Sequence, residues 1–367
     1  MSSIAALSCN QGIKNISMQW HQATQLPALH LQPSPGFAGP VAGLLHNDVV
    51  IAGGANFPDA MPWMGGKKVY YNQVYRYQQA DNQLQLISES RLPDTIAYPA
   101  VCTTPLGIVY AGGETQAGLS SKVWLMKTDS SNTIGFDALP NLTEPTANAG
   151  MTIFQNELYI VGGETAKGAS AEMFRLSLAN PQRGWQPLAA LPHPASHGVF
   201  LTQGTQLFYI GGRMKTASGI SNLYAQVYAY DVQNNQWSSK APLPYALSAG
   251  TGAAIGNEYL ILFGGDKGKT FHKTETLIAA IAAETNPQKK EILNREKIQL
   301  QSNHPGFSNE VLLYNIAQNQ WSVAGTIPFA TPVTTTALVT DKSVYLPSGE
   351  IKAGVRSPTI LKVDFKD

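Results

Sequence analysis

Short apolar runs that end in a pair of glycines divide the chain into similar segments. In the clearest segment, residues 207–212 read LFYIGG, a second apolar run follows at 227–230, and Trp237 comes after the polar stretch 233–235. Short runs rich in aromatic and β-branched residues, separated by Gly and Asn, are typical of β-strands joined by tight turns. This segment is therefore predicted to form a meander of antiparallel strands.

The same order of signals recurs along essentially the whole chain, at a period of about fifty residues. Glycine pairs follow apolar runs at 53–54, 112–113, 162–163, 211–212 and 264–265, and Ser348-Gly349 is a degenerate sixth copy. A Trp seven residues before a Pro recurs as Trp20/Pro27, Trp185/Pro192, Trp237/Pro244 and Trp321/Pro328, and Leu86/Pro93 keeps the spacing. These linked features resemble kelch repeats, each of which folds as one four-stranded blade. The resemblance implies an all-β protein, a six-bladed kelch-type β-propeller.

The two ends of the chain together supply one blade. Residues 16–20 have the pattern of a last, Trp-bearing strand, whereas residues 334–339, 343–349 and 359–365 have the pattern of three strands that lack such a partner. We therefore predict a single domain over residues 1–367, in which the N-terminal strand closes blade six and leaves no open sheet edge.

Two insertions interrupt the repeat between the second and third strands of their blades. In blade one, residues 55–68 form a loop rich in Pro, Gly and aromatic residues, and in blade five the insertion covers residues 266–304. Thr274 is predicted to cap a first helix, and Pro287 is predicted to begin a second one. We expect this helical insertion to cover one face of the propeller.

The residues that directly follow the six pairs are predicted to emerge together beside the central axis. They are Ala55, Glu114, Glu164, Arg213, Asp266 and Glu350. All but Ala55 carry charge, in a chain with only 13 % charged residues. Both insertions start from the same positions, so we predict a charged, partly covered funnel as the ligand site.

Blade six has an arginine at a position where blades two and three have serine. Residues 349–356 read GEIKAGVR, and blades two and three share the G-E-x-x-x-G part but have Ser120 and Ser170 in the place of Arg356. The structural interpretation of Arg356 is an ion pair with Glu350 that ties the loop. The functional interpretation is that the two side chains act together on a ligand.

A kelch propeller with G-E-x-K-x-G-x-R, a helical insertion in the preceding blade and a GGANF loop in the following one resembles the N-acetylneuraminate epimerase (sialic acid mutarotase) family. The blade order is similar to that of its circularly permuted branch, in which neighbouring blades remain neighbours in space. The resemblance implies that Glu350 and Arg356 are the catalytic pair, that the substrate is N-acetylneuraminate or a related small acidic sugar, and that no metal or organic cofactor is needed. We add as candidate substrate contacts Asn56, Lys68, Glu114, Glu164, Arg213 and Asp266.

Interconversion of anomers requires chemistry that these two residue types provide. The proton of the anomeric hydroxyl is removed, the ring opens, the carbonyl rotates, and the ring closes on its other face. A carboxylate such as Glu350 can act as general base and then as general acid. Arg356 can hold the substrate carboxylate through two charge-assisted hydrogen bonds, a geometry that Lys cannot reproduce.

Two other classes of function remain open. A kelch module of this kind could bind a protein or glycan on the same funnel without any chemistry. A lyase or hydrolase of acidic sugars is the second alternative, and a hydrolase would normally need a second carboxylate, which Glu114, Glu164 or Asp266 could supply.

Two further motifs do not support a site. Residues 264–270, GGDKGKT, are one residue too short for a phosphate loop and lie in a β meander. His193 and His197 are four residues apart, but the neighbouring prolines place them on a turn between blades, where we expect solvated or channel-lining side chains and no metal.

Composition limits the partners and the compartment. The formal net charge is +1, so no basic surface is expected for nucleic acid or an anionic membrane. Cys9 and Cys102 are too few for a disulfide framework or a thiolate metal site. No apolar stretch has the length of a membrane span, and the N-terminus does not resemble a signal peptide, which favours the cytoplasm. The family resemblance instead implies the periplasm. We expect a soluble monomer or homodimer.

Overall fold

The protein is a six-bladed β-propeller in which each blade is a four-stranded antiparallel sheet. The computed structural model describes residues 17–29, 31–340 and 343–366. The first strands of neighbouring blades contact one another in a closed cycle and therefore surround the central axis. The fold class predicted from the repeat is confirmed.

The four strands of each blade lie side by side, and their order from the central axis outward is as follows. Blade one contains Val41–Leu45, Asp48–Ala52, Gln73–Ala80 and Gln83–Arg91. Blade two contains Ala100–Thr104, Gly107–Ala111, Val123–Thr128 and Ile134–Leu139. Blade three contains Gly150–Phe154, Glu157–Val161, Met173–Ser177 and Gln186–Leu188. Blade four contains Val199–Gln203, Gln206–Ile210, Val227–Asp231 and Gln236–Lys240. Blade five contains Thr251–Ile255, Tyr259–Phe263, Glu310–Asn315 and Gln320–Thr326. Blade six contains Leu338–Val339, Ser343–Pro347, Thr359–Lys366 and, as its outer strand, Ser17–Gln25.

A short two-stranded ribbon joins the second and third strands in every blade except blade five. The ribbons pair Ala55–Asn56 with Val69–Tyr70, Glu114–Thr115 with Gly118–Leu119, Glu164–Thr165 with Gly168–Ala169, Arg213–Lys215 with Ser221–Leu223, and Glu350–Lys352 with Val355–Arg356. In blade five two helices take this place, namely α1 at Lys269–Ala283 and α2 at Pro287–Ser302. Short 3-10 helices lie at Pro62–Met64 and Pro181–Arg183.

The glycine pairs end the second strands because the backbone takes two successive positive φ angles there. Gly211 has a φ of 63° and Gly212 a φ of 97°. A Cβ on Gly212 would lie 2.7 Å from the carbonyl oxygen of Ser196, so the second position requires glycine. In blade six Ser348 takes the first position with a φ of 54°. Its buried hydroxyl accepts a hydrogen bond from the amide of Phe37 at 2.9 Å and so links blade six to blade one.

The N-terminal strand pairs with the last strand of the chain along its whole length, from Ser17 opposite Lys366 to Gln25 opposite Thr359. It is longer than the strand predicted over 16–20, and Ile16 lies outside the described residues. The strand predicted over 334–339 is wrong in extent, since only Leu338–Val339 pairs.

The first helix of the insertion begins earlier than predicted. Gly268, with a φ of 84°, precedes α1, whereas Thr274 lies inside the helix and donates its hydroxyl to the carbonyl oxygen of Thr270 at 3.0 Å. The prediction of a Thr274 cap is therefore wrong. The start of α2 agrees with the prediction, because Pro287 is its first residue and the Asn286 side chain accepts hydrogen bonds from the next two free amides.

The two insertions meet over the same end of the propeller, where α2 contacts the 3-10 helix Pro62–Met64. Over the described residues, no helix combines the length and the apolar character needed to cross a membrane.

Candidate active site

Six residues, one from each blade, form a closed ring of backbone hydrogen bonds around the central axis. This axial ring consists of Gly39, Tyr98, Asn148, His197, Ala249 and Thr334. Each amide donates to the carbonyl oxygen of the member in the preceding blade at 2.7–3.0 Å, and Gly39 closes the ring by donating to Thr334. All six residues have φ angles between 52° and 62°. This left-handed conformation costs a non-glycine residue roughly 1 kcal/mol or more, so the axial ring forms at the expense of backbone strain in most of its members.

The residues that follow the glycine pairs lie beside the axial ring. Each forms an isolated β-bridge with the residue that precedes a ring member, as Glu114 does with Ala97 and Arg213 with Ser196. The five charged members of this set line one cavity of about 650 Å³. That volume falls within the usual range of small-molecule sites, roughly 300–1,000 Å³.

The cavity has the axial ring as its floor and the two insertions as its roof. Tyr98 and His197 contribute side chains from the floor, Phe57 comes from the blade-one insertion, and Phe271 comes from α1. The predicted covered funnel is therefore a cavity with aromatic side chains in its roof.

Glu350 and Arg356 face each other across the ribbon of blade six, with Arg356 Nη1 3.7 Å from Glu350 Oε1. The same Oε1 accepts a hydrogen bond from the amide of Gly354, whereas Oε2 accepts none from the described part of the chain. The Phe57 ring covers the guanidinium, with its centroid 4.6 Å from Cζ. The carboxylate is thus held at one oxygen and free at the other.

The guanidinium of Arg356 has unused hydrogen-bonding capacity. Its side chain is only 5 % exposed, and Nε and Nη1 are buried without an acceptor in the parts of the chain that the structure covers. A buried donor without an acceptor costs about 1–3 kcal/mol, and more for a charged group. An anionic group entering the cavity would supply the missing acceptors, provided that Phe57 shifts to admit it.

Tyr98 joins this pair from the axial ring. Arg356 Nη2 lies 3.5 Å from the Tyr98 hydroxyl, and Lys68 Nζ lies 5.1 Å from the centroid of the ring. Burial raises the pKa of Tyr98, although the Arg356 guanidinium partly opposes this effect. The phenol is therefore neutral at physiological pH.

A second charged group is built on blades three and four. Arg213 Nη2 lies 3.1 Å from His197 Nε2 and 3.9 Å from Glu164 Oε1. A guanidinium can only donate, so His197 Nε2 accepts and its Nδ1 carries the proton that faces Ser196 Oγ at 3.0 Å. Burial and the Arg213 charge lower the pKa of His197 well below its usual value. The Phe271 ring covers Arg213, with its centroid 4.7 Å from Cζ.

The remaining charged candidates also reach the cavity. Lys68 Nζ forms a salt bridge with Glu114 Oε2 at 2.7 Å. Burial lowers the pKa of Lys68, but Tyr98 and Glu114 outweigh this effect and raise the pKa overall. Asp266 Oδ1 accepts a hydrogen bond from the amide of Gly268 at 2.7 Å, which fixes the turn into α1.

Asn56 and Ala55 do not line the cavity. The Asn56 side chain is buried, donates to the carbonyl oxygen of Gly36 at 3.0 Å and accepts from the Tyr71 hydroxyl at 2.8 Å. Ala55 is fully buried. The structure therefore gives Asn56 a role in holding the blade-one insertion, in place of the predicted contact with substrate.

Sequence reasoning missed several cavity residues, among them Tyr98, Phe57, Phe271 and His304. The repeat contained one signal for Tyr98. In blades three and four the axial ring residue precedes the charged residue after the glycine pair by 16 positions, and Tyr98 precedes Glu114 by the same interval. His304 accepts from the amide of Gly306 through Nδ1 at 3.0 Å, and burial lowers its pKa. Nothing in the repeat marked this residue, since it is the last residue of the blade-five insertion.

Comparison with known proteins identifies related sequences. Residues 139–367 match the family model described as N-acetylneuraminate epimerase. The N-acetylneuraminate epimerase of Salmonella typhimurium is 28 % identical over 233 residues, which cover 61 % of this chain and 58 % of that protein. The N-acetylneuraminate epimerase of Brucella melitensis is 26 % identical over 234 residues, covering 62 % and 59 %. The matched region thus spans less than two thirds of the length of these relatives. The circular permutation stays a prediction.

Proposed function

The chain belongs to the N-acetylneuraminate epimerase family, and from this premise we propose that it interconverts the anomers of N-acetylneuraminate or a related acidic sugar. The observation that carries the proposal is the pairing of Glu350 with Arg356 in the cavity, 3.7 Å apart at their nearest atoms. A free carboxylate oxygen and a guanidinium with unused donors are what a base and an anion anchor require.

In the proposed reaction the substrate carboxylate binds to the guanidinium of Arg356. The free Oε2 of Glu350 then takes the proton of the anomeric hydroxyl, and the bond between the anomeric carbon and the ring oxygen breaks. The open-chain ketone rotates and is attacked on its other face by the former ring oxygen. Glu350 returns its proton to the new anomeric hydroxyl, so the enzyme ends as it began.

Glu350 is favoured as the base because the unused donors of the Arg356 guanidinium lie beside it. Glu114 is paired with Lys68, whereas Asp266, like Glu350, accepts from an amide of its own turn through one oxygen. Glu164 accepts from the side chain of Asn148 at 3.2 Å and from Ser196 at 3.2 Å. Of the carboxylates that a glycosidase could use as a second group, Glu114 and Glu164 are held by other side chains.

The test follows anomer exchange of N-acetylneuraminate by NMR, with and without the protein. We expect Glu350→Gln to lower the catalysed rate by about a hundredfold or more while substrate still binds. Glu258→Gln, in an exposed turn of blade five, is the matched control and should keep the wild-type rate. Unchanged exchange in Glu350→Gln would move the base to another carboxylate, and binding without any exchange by the wild type would indicate a binding module.

Arg356→Lys tests the anchor separately. The substitution keeps the charge but removes the planar fork, so affinity for the acidic sugar should fall by about tenfold or more. Binding of a neutral sugar should change little. If the acidic sugar binds the variant as tightly as the wild type, its carboxylate is held elsewhere.

A further inference from the structure

Ring opening requires a second proton transfer that Glu350 does not perform. When the bond to the ring oxygen breaks, that oxygen takes the electron pair and needs a proton of its own. We infer that the hydroxyl of Tyr98 donates this proton. The inference rests on the proposed function and adds a second catalytic residue to it.

The first argument is the position of Tyr98 in the fold. It belongs to the axial ring with a φ of 56°, a conformation that bulky aromatic residues rarely adopt. The member of the same ring in blade one is Gly39, and a Cβ there would lie 2.3 Å from Tyr98 Cδ1. The aromatic ring of Tyr98 therefore lies over Gly39, and its hydroxyl reaches Arg356 of blade six.

The second argument is the direction of the hydrogen bond. Arg356 Nη2, 3.5 Å from the Tyr98 oxygen, can only donate, so the phenolic proton is not used in this contact. The other terminal nitrogen of the same guanidinium lies 3.7 Å from Glu350 Oε1. One guanidinium thus has the base beside one nitrogen and the phenol beside the other, and a sugar held by Arg356 lies next to both.

The third argument is electrostatic. Burial keeps the phenol protonated before the reaction. After donation, the resulting phenolate faces two positive charges, because Arg356 contacts its oxygen and Lys68 Nζ lies 5.1 Å from its ring. These cations stabilise the charge that develops on Tyr98 during ring opening, which is the condition for an effective general acid.

The complete step balances. Glu350 gains the proton of the anomeric hydroxyl, the carbon–oxygen bond breaks, and the former ring oxygen gains the proton of Tyr98. The sugar is then an open-chain ketone, Glu350 is neutral and Tyr98 is a phenolate. On closure the attacking hydroxyl returns its proton to Tyr98 while Glu350 protonates the new anomeric oxygen.

The test is Tyr98→Phe, which keeps the aromatic ring over Gly39 and removes only the hydroxyl. We expect catalysed anomer exchange at saturating substrate to fall between about a hundredfold and ten-thousandfold. Affinity for the methyl glycoside of N-acetylneuraminate, which lacks the anomeric proton and cannot open, should change by less than about tenfold. The thermal midpoint should stay close to that of the wild type. Tyr228→Phe removes a phenol from the third strand of blade four, outside the cavity, and should leave exchange unchanged.

Each outcome has a distinct meaning. If the wild type accelerates exchange and Tyr98→Phe retains that rate, the donor is another cavity group such as His304 and the inference is overturned. A loss of glycoside binding that matches the loss of rate would also overturn it, because the hydroxyl would then act in binding. If the wild type does not accelerate exchange at all, the proposed function fails and the role of Tyr98 fails with it.

Discussion

The aromatic ring of Tyr98 occupies the space that a side chain at position 39 would need. A Cβ on Gly39 would lie 2.3 Å from Tyr98 Cδ1 and 2.5 Å from its amide nitrogen. Gly39 also has a φ of 62° and closes the axial ring. The glycine of blade one thus determines where the tyrosine of blade two can lie.

Gly39→Ala should therefore impair catalysis as well as stability. The strained backbone alone costs about 1 kcal/mol, and the clash requires the Tyr98 ring to move in addition. We expect a lower thermal midpoint and, at a temperature where the variant is fully folded, a lower rate of anomer exchange. Circular dichroism and the NMR exchange assay measure the two effects.

Gly204→Ala is the control for this variant. Gly204 has a φ of 60°, but a Cβ there would have no heavy atom within 4 Å among its neighbours. Gly204→Ala should lose a similar amount of stability through its strained backbone, and it should keep the wild-type rate of anomer exchange. Equal rates in the two alanine variants would mean that Gly39 does not position Tyr98.

The sequence predicted the propeller because the features that repeat are the ones that the backbone requires. The second glycine of each pair has a φ that excludes other residues, and the outer-strand tryptophans bridge blades, as Trp237 does by donating to the carbonyl oxygen of Ala189 at 2.9 Å. The charged residues after the pairs could be placed because the repeat fixes their position beside the axis. Repetition therefore predicted both the blades and the charged lining of the cavity.

The missed features lie where residue type and local conformation disagree. Tyr98, Ala249 and Thr334 are poor candidates for a left-handed backbone, so propensity gave no reason to place them in one ring. The predicted start of α1 is wrong because Thr274, a residue type that favours N-caps, lies inside a helix that begins directly after Gly268. Hydrogen bonds between blades hold the axial ring, whereas the local turn at Gly268 sets the start of α1.

His197 should make the protein less stable as pH falls. Its pKa in the folded state lies well below the ordinary value of 6.5, because burial and Arg213 disfavour the charged form. Below pH 6.5 the unfolded chain takes up a proton that the folded chain does not, so the free energy of unfolding falls by up to about 1.4 kcal/mol per pH unit. Above that pH this contribution does not vary.

His197→Asn is the variant that tests this dependence, because Asn148 occupies the corresponding place in blade three with a φ of 55°. Its free energy of unfolding should fall less steeply than that of the wild type between about pH 6.5 and pH 5. His46→Asn, at an exposed position with a φ of 54°, should keep the wild-type slope. Denaturant titrations across this range give the slopes, and equal slopes for all three proteins would contradict the assignment.

Glu275 should hold α1 on blade four. The buried carboxylate accepts from the amide of Ser221 at 2.8 Å and from its hydroxyl at 2.7 Å, and His272 Nε2 contacts the Ser221 carbonyl oxygen at 2.8 Å. Glu275→Gln replaces a charged acceptor by an amide that can turn a donor toward these groups, a loss of roughly 1.5–3 kcal/mol. We expect faster hydrogen exchange in residues 269–283 and weaker substrate binding, with little change in the blades. Glu291→Gln, which affects only an exposed pair with Arg295 on α2, is the control and should leave both measurements unchanged.

The N-terminal strand should be essential for the closed propeller. Ser17–Gln25 provides the outer strand of blade six. Trp20 of this strand packs edge-on against Phe263 of blade five, with ring centroids 5.8 Å apart. Deletion of residues 1–25 would expose the edge of Thr359–Lys366 and remove the contact with blade five, so the thermal midpoint should fall strongly and aggregation should increase. Trp20→Ala should reproduce part of the loss, about 3 kcal/mol, through the missing aromatic contacts. Gln19→Ala changes an exposed residue of the same strand and should have little effect. A deletion variant that unfolds at the wild-type temperature would show that the ring is stable without its N-terminal strand.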